Sequence, residues 1–155
     1  MTKVKSIRFI SYKAFPDFSI FAKDRNVLVG PNNAGKSTVL DAFRIAFDAL
    51  RYSKRRNAVL KSQGNDGVCS TWTVPISAIQ TDLRYCVHNF GEGQSSIYIR
   101  LENGNSFVIL MYNDSPIECY LKSELRPRKN TKFLQGQFPL NLVIVPTLRA
   151  RLENG

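Results

Sequence analysis

One stretch decides the fold of this chain: Val27-Leu28-Val29-Gly30-Pro31-Asn32-Asn33-Ala34-Gly35-Lys36-Ser37-Thr38. Its three leading apolar residues predict a short buried strand, and the residues after them match the pattern G-x-x-x-x-G-K-[ST]. A helical pattern follows immediately. Strand, glycine-rich turn and helix in this order form the setting in which that pattern binds phosphate. A chance turn before a helix is disfavoured, because both flanking elements and every fixed position match.

The residue types of this loop each have a chemical reason. Gly30 and Gly35 let the chain turn so that backbone N–H groups surround a phosphate at the positive end of the helix dipole. Lys36 is predicted to reach the β- and γ-phosphates of ATP. The Ser37 hydroxyl is predicted to bind Mg²⁺, which prefers oxygen ligands, and Thr38 to contact the α-phosphate. The predicted nucleotide ligands of the loop are Gly30, Asn32, Asn33, Ala34, Gly35, Lys36, Ser37 and Thr38.

Composition limits the class of protein. The chain has 155 residues, 43% of them hydrophobic, which excludes a disordered chain and fits one domain. Its net charge of +10 indicates an anionic partner, whether nucleic acid, nucleotide or acidic membrane surface. No apolar run approaches the roughly 20 residues that span a bilayer, and the first residues lack a signal-peptide core. We therefore expect a cytoplasmic protein without a membrane partner.

Cysteine, histidine and tryptophan give no sign of a metal or catalytic site. The three cysteines lie far apart and form no C-x-x-C pair, so we interpret them as core residues. A lone histidine is more often a surface or core residue than a ligand, and the single tryptophan is expected in the core. These residues are Cys69, Cys86, Cys119, His88 and Trp72.

The residues before the loop predict a pair of strands. Residues 3–12 alternate in hydrophobicity, residues 12–17 break the pattern as a turn, and residues 18–20 resume it. A second turn at 23–26 leads into the buried strand at 27–29. Two strands in a hairpin-like pair therefore precede the phosphate-binding loop.

The clearest helix is predicted over residues 37–52, with two distinct faces. Its wide apolar face indicates packing against a sheet, and its polar residues are spaced to form ion pairs. The apolar face holds Val39, Phe43, Ala46, Phe47 and Leu50, and the polar face holds Asp41, Arg44, Asp48 and Arg51.

Residues 68–121 predict an antiparallel β block, with strands at 68–76, 79–87, 96–101, 106–111 and 117–121. The dipeptide Asn103-Gly104 is a strong hairpin signal between two of them. The apolar run ending at Asp114 has the general form of a Walker B strand, but a Walker B strand lies parallel in a central sheet, and this run belongs to a hairpin. A further buried strand is predicted at 140–146.

Two basic stretches flank this block. The first holds Arg51, Lys54, Arg55, Arg56 and Lys61 before a loop at 63–67, and the second, interpreted as a surface loop, holds Lys122, Arg126, Arg128, Lys129 and Lys132. Either stretch could contact nucleic-acid phosphates, or could be a solvated surface, the first also complementing a helix C-terminus. The candidate nucleic-acid residues are Lys54, Arg55, Arg56, Arg128 and Lys129.

Several segments together resemble the N-terminal half of an SMC/RecF-type ABC ATPase head, closest to the OLD-like ATPases. They are Ile7-Arg8-Phe9, Tyr12-Lys13-Ala14-Phe15, Gly30 to Thr38, Leu40-Asp41-Ala42 and, in pattern, Val145 to Arg149. The resemblance implies an α/β P-loop NTPase lobe of the ABC/SMC-head type with an antiparallel β subdomain. Its parts would be strands, loop and first helix (1–52), the β block (68–121), and a basic loop with a terminal strand (122–155).

The resemblance also implies partners and further ligands. Such heads sandwich ATP between two copies, so a homodimer or higher oligomer is expected, with DNA and a partner or fused nuclease in DNA repair or anti-phage defence. Lys13 occupies a position where these heads place a basic residue near the nucleotide. The position of the glutamine that touches magnesium is left open, Gln135 and Gln137 being the available side chains.

The departures from that family pattern limit the expected activity. A signature loop, a Walker B Asp-Glu pair and a switch histidine belong to a C-terminal half that these residues do not contain. We therefore expect the chain to bind ATP without completing hydrolysis, which needs a carboxylate and a second charge stabiliser. That half would follow in a longer protein, as we expect, or come from another chain.

Two other functions compete with this interpretation. A non-hydrolysing, nucleotide-dependent assembly module is the main alternative, and a reading frame that continued into a Walker B Asp-Glu pair would argue against it. A compact kinase is disfavoured by the antiparallel block and the missing Walker B strand.

Overall fold

The computed structural model describes residues 3–13, 15–22, 36–81, 83, 93–112 and 115–140, with Lys36 and Ser37 described by their backbone. Within these residues the protein is an α/β structure in which a long helix packs on an antiparallel sheet. The helices are α1 (Lys36–Lys54) and α2 (Thr131–Gln137), with 3₁₀ turns at Gly64–Asp66 and Ile76–Ala78. The strands are β1 (Val4–Tyr12), β2 (Phe15–Phe21), β3 (Val59–Ser62), β4 (Val68–Val74), β5 (Ser95–Leu101), β6 (Ser106–Met111) and β7 (Ile117–Lys122).

The seven described strands form one sheet in the order β2-β1-β5-β6-β7-β4-β3. Each pairing between them is antiparallel, which confirms the antiparallel block expected from the sequence. Because β1 pairs with β5, the N-terminal hairpin and the later strands share this sheet. The edge strand β3 was not predicted. It is four residues long and exposed throughout, so it lacks the alternation that would reveal a strand.

The first hairpin is tighter than predicted. Tyr12 lies opposite Phe15, and Lys13 between them has a positive φ of 47°. The predicted turn over residues 12–17 was therefore too long. The ring of Phe15 packs between Phe9 and Phe18, with centroids 5.7 and 4.7 Å away, and this aromatic packing accompanies the extended chain from residue 15 onward.

The second hairpin confirms the Asn-Gly prediction. The turn between β5 and β6 is closed by the Leu101 amide, which donates to the Asn105 carbonyl at 2.9 Å. Gly104 has φ 89°, a conformation that favours glycine. The Asn105 amide donates to Asn103 Oδ1 at 2.9 Å, so the asparagine side chain stabilises the turn.

The predicted apolar face of α1 packs against the sheet. Val39, Ala46 and Leu50 are buried, as expected, whereas the prediction of Asp48 on the polar face was wrong, because only 5% of this residue is exposed. The Gln80 amide donates to Asp48 Oδ2 at 3.0 Å, and Arg51 lies 3.6 Å from Oδ1. Asp48 therefore ties the chain after β4 to the helix.

The chain after β4 differs from the predicted strand at 79–87. Its first residues, 79–81, are not in a strand, and the rest of that prediction, except Leu83, lies outside the described residues. β4 ends before Pro75, and the turn Ile76–Ala78 leads the chain toward α1, where Ile79 is 7% exposed. Contact with the helix replaces sheet pairing here.

The predicted core residues are buried where the structure describes them. Cys69, Trp72 and Cys119 are buried, which confirms their assignment, and the Trp72 indole donates to the Arg56 carbonyl at 3.0 Å. Cys86 and His88 lie outside the described residues. Burial raises the pKa of the Cys119 thiol, so this thiol stays protonated.

Part of the second basic stretch is helical, although the sequence predicted a loop. Asn130 caps α2 by accepting from the Phe133 amide at 2.9 Å. Leu134 is fully buried, and Phe138 after the helix lies with its ring 5.6 Å from that of Phe107. Because α2 has only seven residues and buries only Leu134 among them, its sequence shows no repeating apolar pattern that would predict a helix. Residues 141–146 of the predicted terminal strand lie outside the described residues.

The sheet face opposite α1 carries a polar network. Tyr120 donates to Asp66 at 2.7 Å, and Lys122 lies 3.1 Å from the same carboxylate. Lys61 on β3 pairs with Glu118 on β7 at 2.8 Å, across the intervening strand β4. Burial raises the pKa of Asp66 and of Glu118, but hydrogen bonds and nearby lysines outweigh it and leave both pKa values below the ordinary range.

Acid should therefore weaken the fold through this network. A carboxylate with a lowered folded-state pKa stabilises the protein above its unfolded pKa, and this contribution is lost as the pH falls through the folded pKa. We expect the free energy of unfolding to decline below pH 4.5, the ordinary pKa of Glu118. Urea unfolding should show that Glu118→Gln costs stability near neutral pH and progressively less in acid. The same cost at every pH would contradict this explanation, and the exposed Glu124→Gln is the control.

Candidate functional site

The predicted phosphate-binding loop leads into the first turn of α1. Lys36 is the first residue of this 19-residue helix and Ser37 the second, so the backbone N–H groups of its first turn have no partner within the helix. The first turn contains no acidic residue that would neutralise the positive end of the dipole. Thr38 is half-buried. The other predicted loop ligands, Gly30, Asn32, Asn33, Ala34 and Gly35, lie outside the described residues.

Lys13 lies beside the N-terminal part of α1. Its ammonium is 3.1 Å from Asp41 Oδ2, and Arg44 contacts the other oxygen of Asp41 at 3.2 Å. Asp41 is five residues into the helix after Lys36, about 7.5 Å along its axis. Lys13 belongs to the tight turn between β1 and β2, and its contact with Asp41 shows that this turn lies next to α1.

The candidate nucleic-acid residues of the first stretch lie at the opposite end of α1, about 28 Å away for a helix of this length. The Lys54 ammonium donates to the Leu140 carbonyl at 2.6 Å, and burial lowers its pKa. Arg55 is exposed, and the Arg56 guanidinium stacks on the Tyr52 ring at 4.3 Å from its centroid. Lys54 thus ties α1 to the chain after α2, while the two arginines face solvent.

The second basic stretch lies directly against the first, although the two are far apart in sequence. The Ala58 amide donates to the Lys129 carbonyl at 2.7 Å. The Ser70 hydroxyl donates to the Arg128 carbonyl at 2.7 Å and accepts from its amide at 3.2 Å. These bonds hold the backbone of Arg128 and Lys129 beside Ser70 and Ala58, and the side chains of Arg128 and Lys129 are exposed.

The remaining candidate side chains have other contacts. Gln135 Nε2 donates to the Lys54 carbonyl at 3.0 Å, at the end of α1 remote from Lys36. Gln137 Oε1 accepts from Asn105 Nδ2 at 3.2 Å, at the β5–β6 turn. Asp114 lies outside the described residues. Across the part of the chain that the structure describes, no group of three or more His, Cys, Asp or Glu side chains could hold a metal ion.

Sequence reasoning did not select Arg51 as a contact residue, although it belongs to the first basic stretch. Its guanidinium lies 5.3 Å from the centroid of the Phe47 ring, and its side chain is half-exposed. The spacing i, i+4 between Arg51 and Arg55 could have indicated that both project from one side of the helix. The ion pair between Asp48 and Arg51 follows the predicted i, i+3 spacing, whereas the burial of Asp48 was not predicted.

Comparison with known families supports the class of the domain. Residues 25–92 match a family model described as "AAA domain, putative AbiEii toxin, Type IV TA system". This range contains the glycine-rich motif and α1, and spans somewhat less than half of the chain. The match supports a P-loop domain of the AAA/ABC ATPase type in this part of the chain, a type of domain that binds nucleotides. None of the curated proteins matches the chain significantly.

No helix among the described residues combines the length and the apolar character needed to cross a membrane.

Proposed function

We propose that this chain is the ATP-binding part of a DNA-associated ATPase of the SMC/OLD-like type. ATP would join two such ABC/SMC-type heads, and this dimerisation would gate DNA binding or a partner nuclease in DNA repair or anti-phage defence, in the cytoplasm. The observation that carries the proposal is the start of α1 at Lys36, directly after Gly35, so that the last two positions of the motif form the beginning of the helix. The family match over residues 25–92 supports the same class.

The chemistry proposed for the loop uses the chain's own groups. The backbone of residues 33–38 would surround the phosphates, because the N–H groups of the first turn lack helical partners. Lys36 would neutralise charge on the β- and γ-phosphates, and Thr38 would contact the α-phosphate. The donor set fits magnesium, since a serine hydroxyl at position 37 supplies a hard oxygen ligand. Bound Mg²⁺ would supply positive charge to the phosphates.

Lys13 is proposed as a further nucleotide ligand, which is paired with Asp41 when no nucleotide is bound. Its side chain is 25% exposed and lies at the loop end of α1, so a phosphate could replace the carboxylate as its partner. Arg44 would keep Asp41 neutralised after that exchange, because it already contacts the other oxygen. The Asp41 pair therefore positions Lys13 without fixing it permanently.

This role predicts a moderate loss of affinity on truncation. Lys13→Ala should weaken ATP binding about fivefold to tenfold, because one charge-assisted hydrogen bond to a phosphate is lost. The loss is partly offset, since the variant no longer has to break the Lys13–Asp41 pair when ATP binds. Arg44→Ala is the matched control, since it also removes a cation from Asp41 but lies eight residues after Lys36 in the helix, about 12 Å along its axis. Titration of both variants with ATP and Mg²⁺ measures the difference. Equal affinities for Lys13→Ala and wild type would exclude Lys13 as a ligand.

The proposal is tested by measuring ATP binding and phosphate release in parallel, with Mg²⁺, on the same protein. Completion of hydrolysis needs a carboxylate that orients water and a second charge stabiliser. We expect binding without turnover until the remaining half of the head is supplied. Turnover by these residues alone would contradict the proposed division of the site and would make Asp114 the first carboxylate to replace. Absence of ATP binding would overturn the function itself.

A further inference from the structure

We propose that a cleft at the C-terminal end of α1 binds the phosphates of a nucleic-acid backbone through Arg51, Arg55 and Arg56. This inference deepens the proposed DNA association and rests on it. The cleft has a volume of about 370 Å³ and lies between the last turns of α1 and the 3₁₀ turn after β4. Its lining includes Asp48, Arg51, Tyr52, Arg55, Arg56 and Gln80.

Two of the three arginines, Arg51 and Arg56, are held by neighbouring side chains, and only Arg51 is paired with a carboxylate among the described residues. Arg51 lies against Phe47 and 3.6 Å from Asp48, and Arg56 stacks on the Tyr52 ring. Within the described part of the chain, no carboxylate lies within salt-bridge distance of the Arg55 or Arg56 guanidinium. Arginines with one face packed on an aromatic ring keep their N–H groups available for phosphate oxygens.

The one carboxylate in the lining does not oppose an anion effectively. Asp48 is buried, and its two oxygens are used by the Gln80 amide at 3.0 Å and by Arg51. Three guanidinium groups and one carboxylate leave a net charge of +2 in the cleft. A phosphodiester therefore meets an uncompensated positive surface.

The carbonyl end of the helix would ordinarily repel an anion, but its carbonyls are occupied. The Arg55 amide donates to the Tyr52 carbonyl at 3.3 Å, and the Arg56 amide to the Ser53 carbonyl at 3.2 Å. Gln135 donates to the Lys54 carbonyl at 3.0 Å. These bonds reduce the negative potential at the helix end, so the arginine charges dominate there.

The surroundings favour a polymeric phosphate ligand over a small anion. A site for a small ligand usually encloses most of its surface, whereas the arginines here are exposed. Beyond Arg56, the Ala58–Lys129 backbone bond places the second basic stretch next to the first. A nucleic acid carries phosphates at regular intervals and so could contact Arg55, Arg56 and Lys129 in succession.

The test compares two double variants of the full chain that each remove two positive charges. Arg55→Gln/Arg56→Gln changes the cleft, and Lys5→Gln/Arg100→Gln changes exposed residues on β1 and β5. Binding of a labelled DNA duplex is measured by fluorescence anisotropy over a range of salt concentrations. The cleft variant should lose affinity at least about tenfold, and its slope of log affinity against log salt should fall by about 1.8, or 0.9 for each lost phosphate contact. The control should keep the wild-type slope.

Other outcomes would overturn the inference. Equal losses in both variants would mean that overall charge, not the cleft, binds DNA. If tripolyphosphate displaced the labelled DNA as effectively as unlabelled DNA does, the cleft would be a small-anion site. If the cleft variant lost binding to phosphatidylserine vesicles but not to DNA, the cleft would be a membrane-binding surface. ATP affinity is measured on the same samples and should be unchanged in the cleft variant. ATP binding by wild type without any DNA binding would refute the DNA association while leaving the nucleotide site standing.

Discussion

Replacing Lys36 with Ala is expected to abolish measurable ATP binding while α1 remains folded. The ammonium at this position would be the main side-chain charge facing the β- and γ-phosphates, and losing charge-assisted bonds worth roughly 3 kcal/mol lowers affinity more than about a hundredfold. The helix should persist because Ala has the highest helix propensity of the amino acids. Isothermal titration with ATP and Mg²⁺ measures the affinity, and circular dichroism checks the fold.

Lys5→Ala is the matched control for this experiment, since it removes one exposed lysine on β1. It should bind ATP as wild type does. If Lys36→Ala retained nucleotide affinity, the loop would not be the nucleotide site, and the central proposal would be wrong. If both variants lost affinity equally, general electrostatic attraction by the basic protein would explain binding.

Replacing Phe107 with Ala should cause the largest loss of stability among side-chain truncations in the sheet, about 3–5 kcal/mol of unfolding free energy. The side chain is fully buried. Its ring centroid lies 6.3 Å from that of Trp72 and 5.6 Å from that of Phe138. Truncation therefore opens a cavity at the point where β4, β6 and the chain after α2 meet.

Urea unfolding followed by fluorescence measures this loss, because Trp72 is the only tryptophan and lies in the same core. Phe21→Ala is the matched control, since this phenylalanine on the edge strand β2 is 75% exposed and should change the free energy by less than about 0.5 kcal/mol. A similar cost for both variants would mean that Phe107 does not occupy a closely packed core. If hydrogen exchange showed that Phe107→Ala lowers amide protection only in the residues after α2, then α2 would unfold separately from the sheet.

The elements that sequence alone predicted correctly are those with strong local determinants. Asn103-Gly104 specifies a turn because glycine reaches a positive φ that other residues avoid. The helix after the loop has a wide apolar face repeated over several turns, so its period is clear without knowledge of its partner. The strands β5 and β6 are likewise long apolar runs bounded by polar turns.

The errors have a common physical cause, which is dependence on a distant partner. Asp48 is buried with its oxygens satisfied by Gln80 and Arg51, and the helical pattern indicates the Arg51 pair but not the contact with Gln80. The short helix α2 forms around the single buried Leu134, with Asn130 as its cap. Lys54 looked like a surface cation of the first basic stretch, yet its ammonium donates to the Leu140 carbonyl.

The sequence by itself determined the class of this protein, because a glycine-rich turn before a lysine and a hydroxyl residue is a local arrangement of backbone groups and charge. It also determined most of the antiparallel strands, though not the exposed edge strand β3, and the basic character of two separate stretches. Only the tertiary structure decided that these stretches lie side by side, that Lys13 faces Asp41 at the loop end of α1, and that Arg51, Arg55 and Arg56 line one cleft. Pairing between distant strands and burial against the helix fix these positions, and such contacts depend on the whole sheet rather than on neighbouring residues.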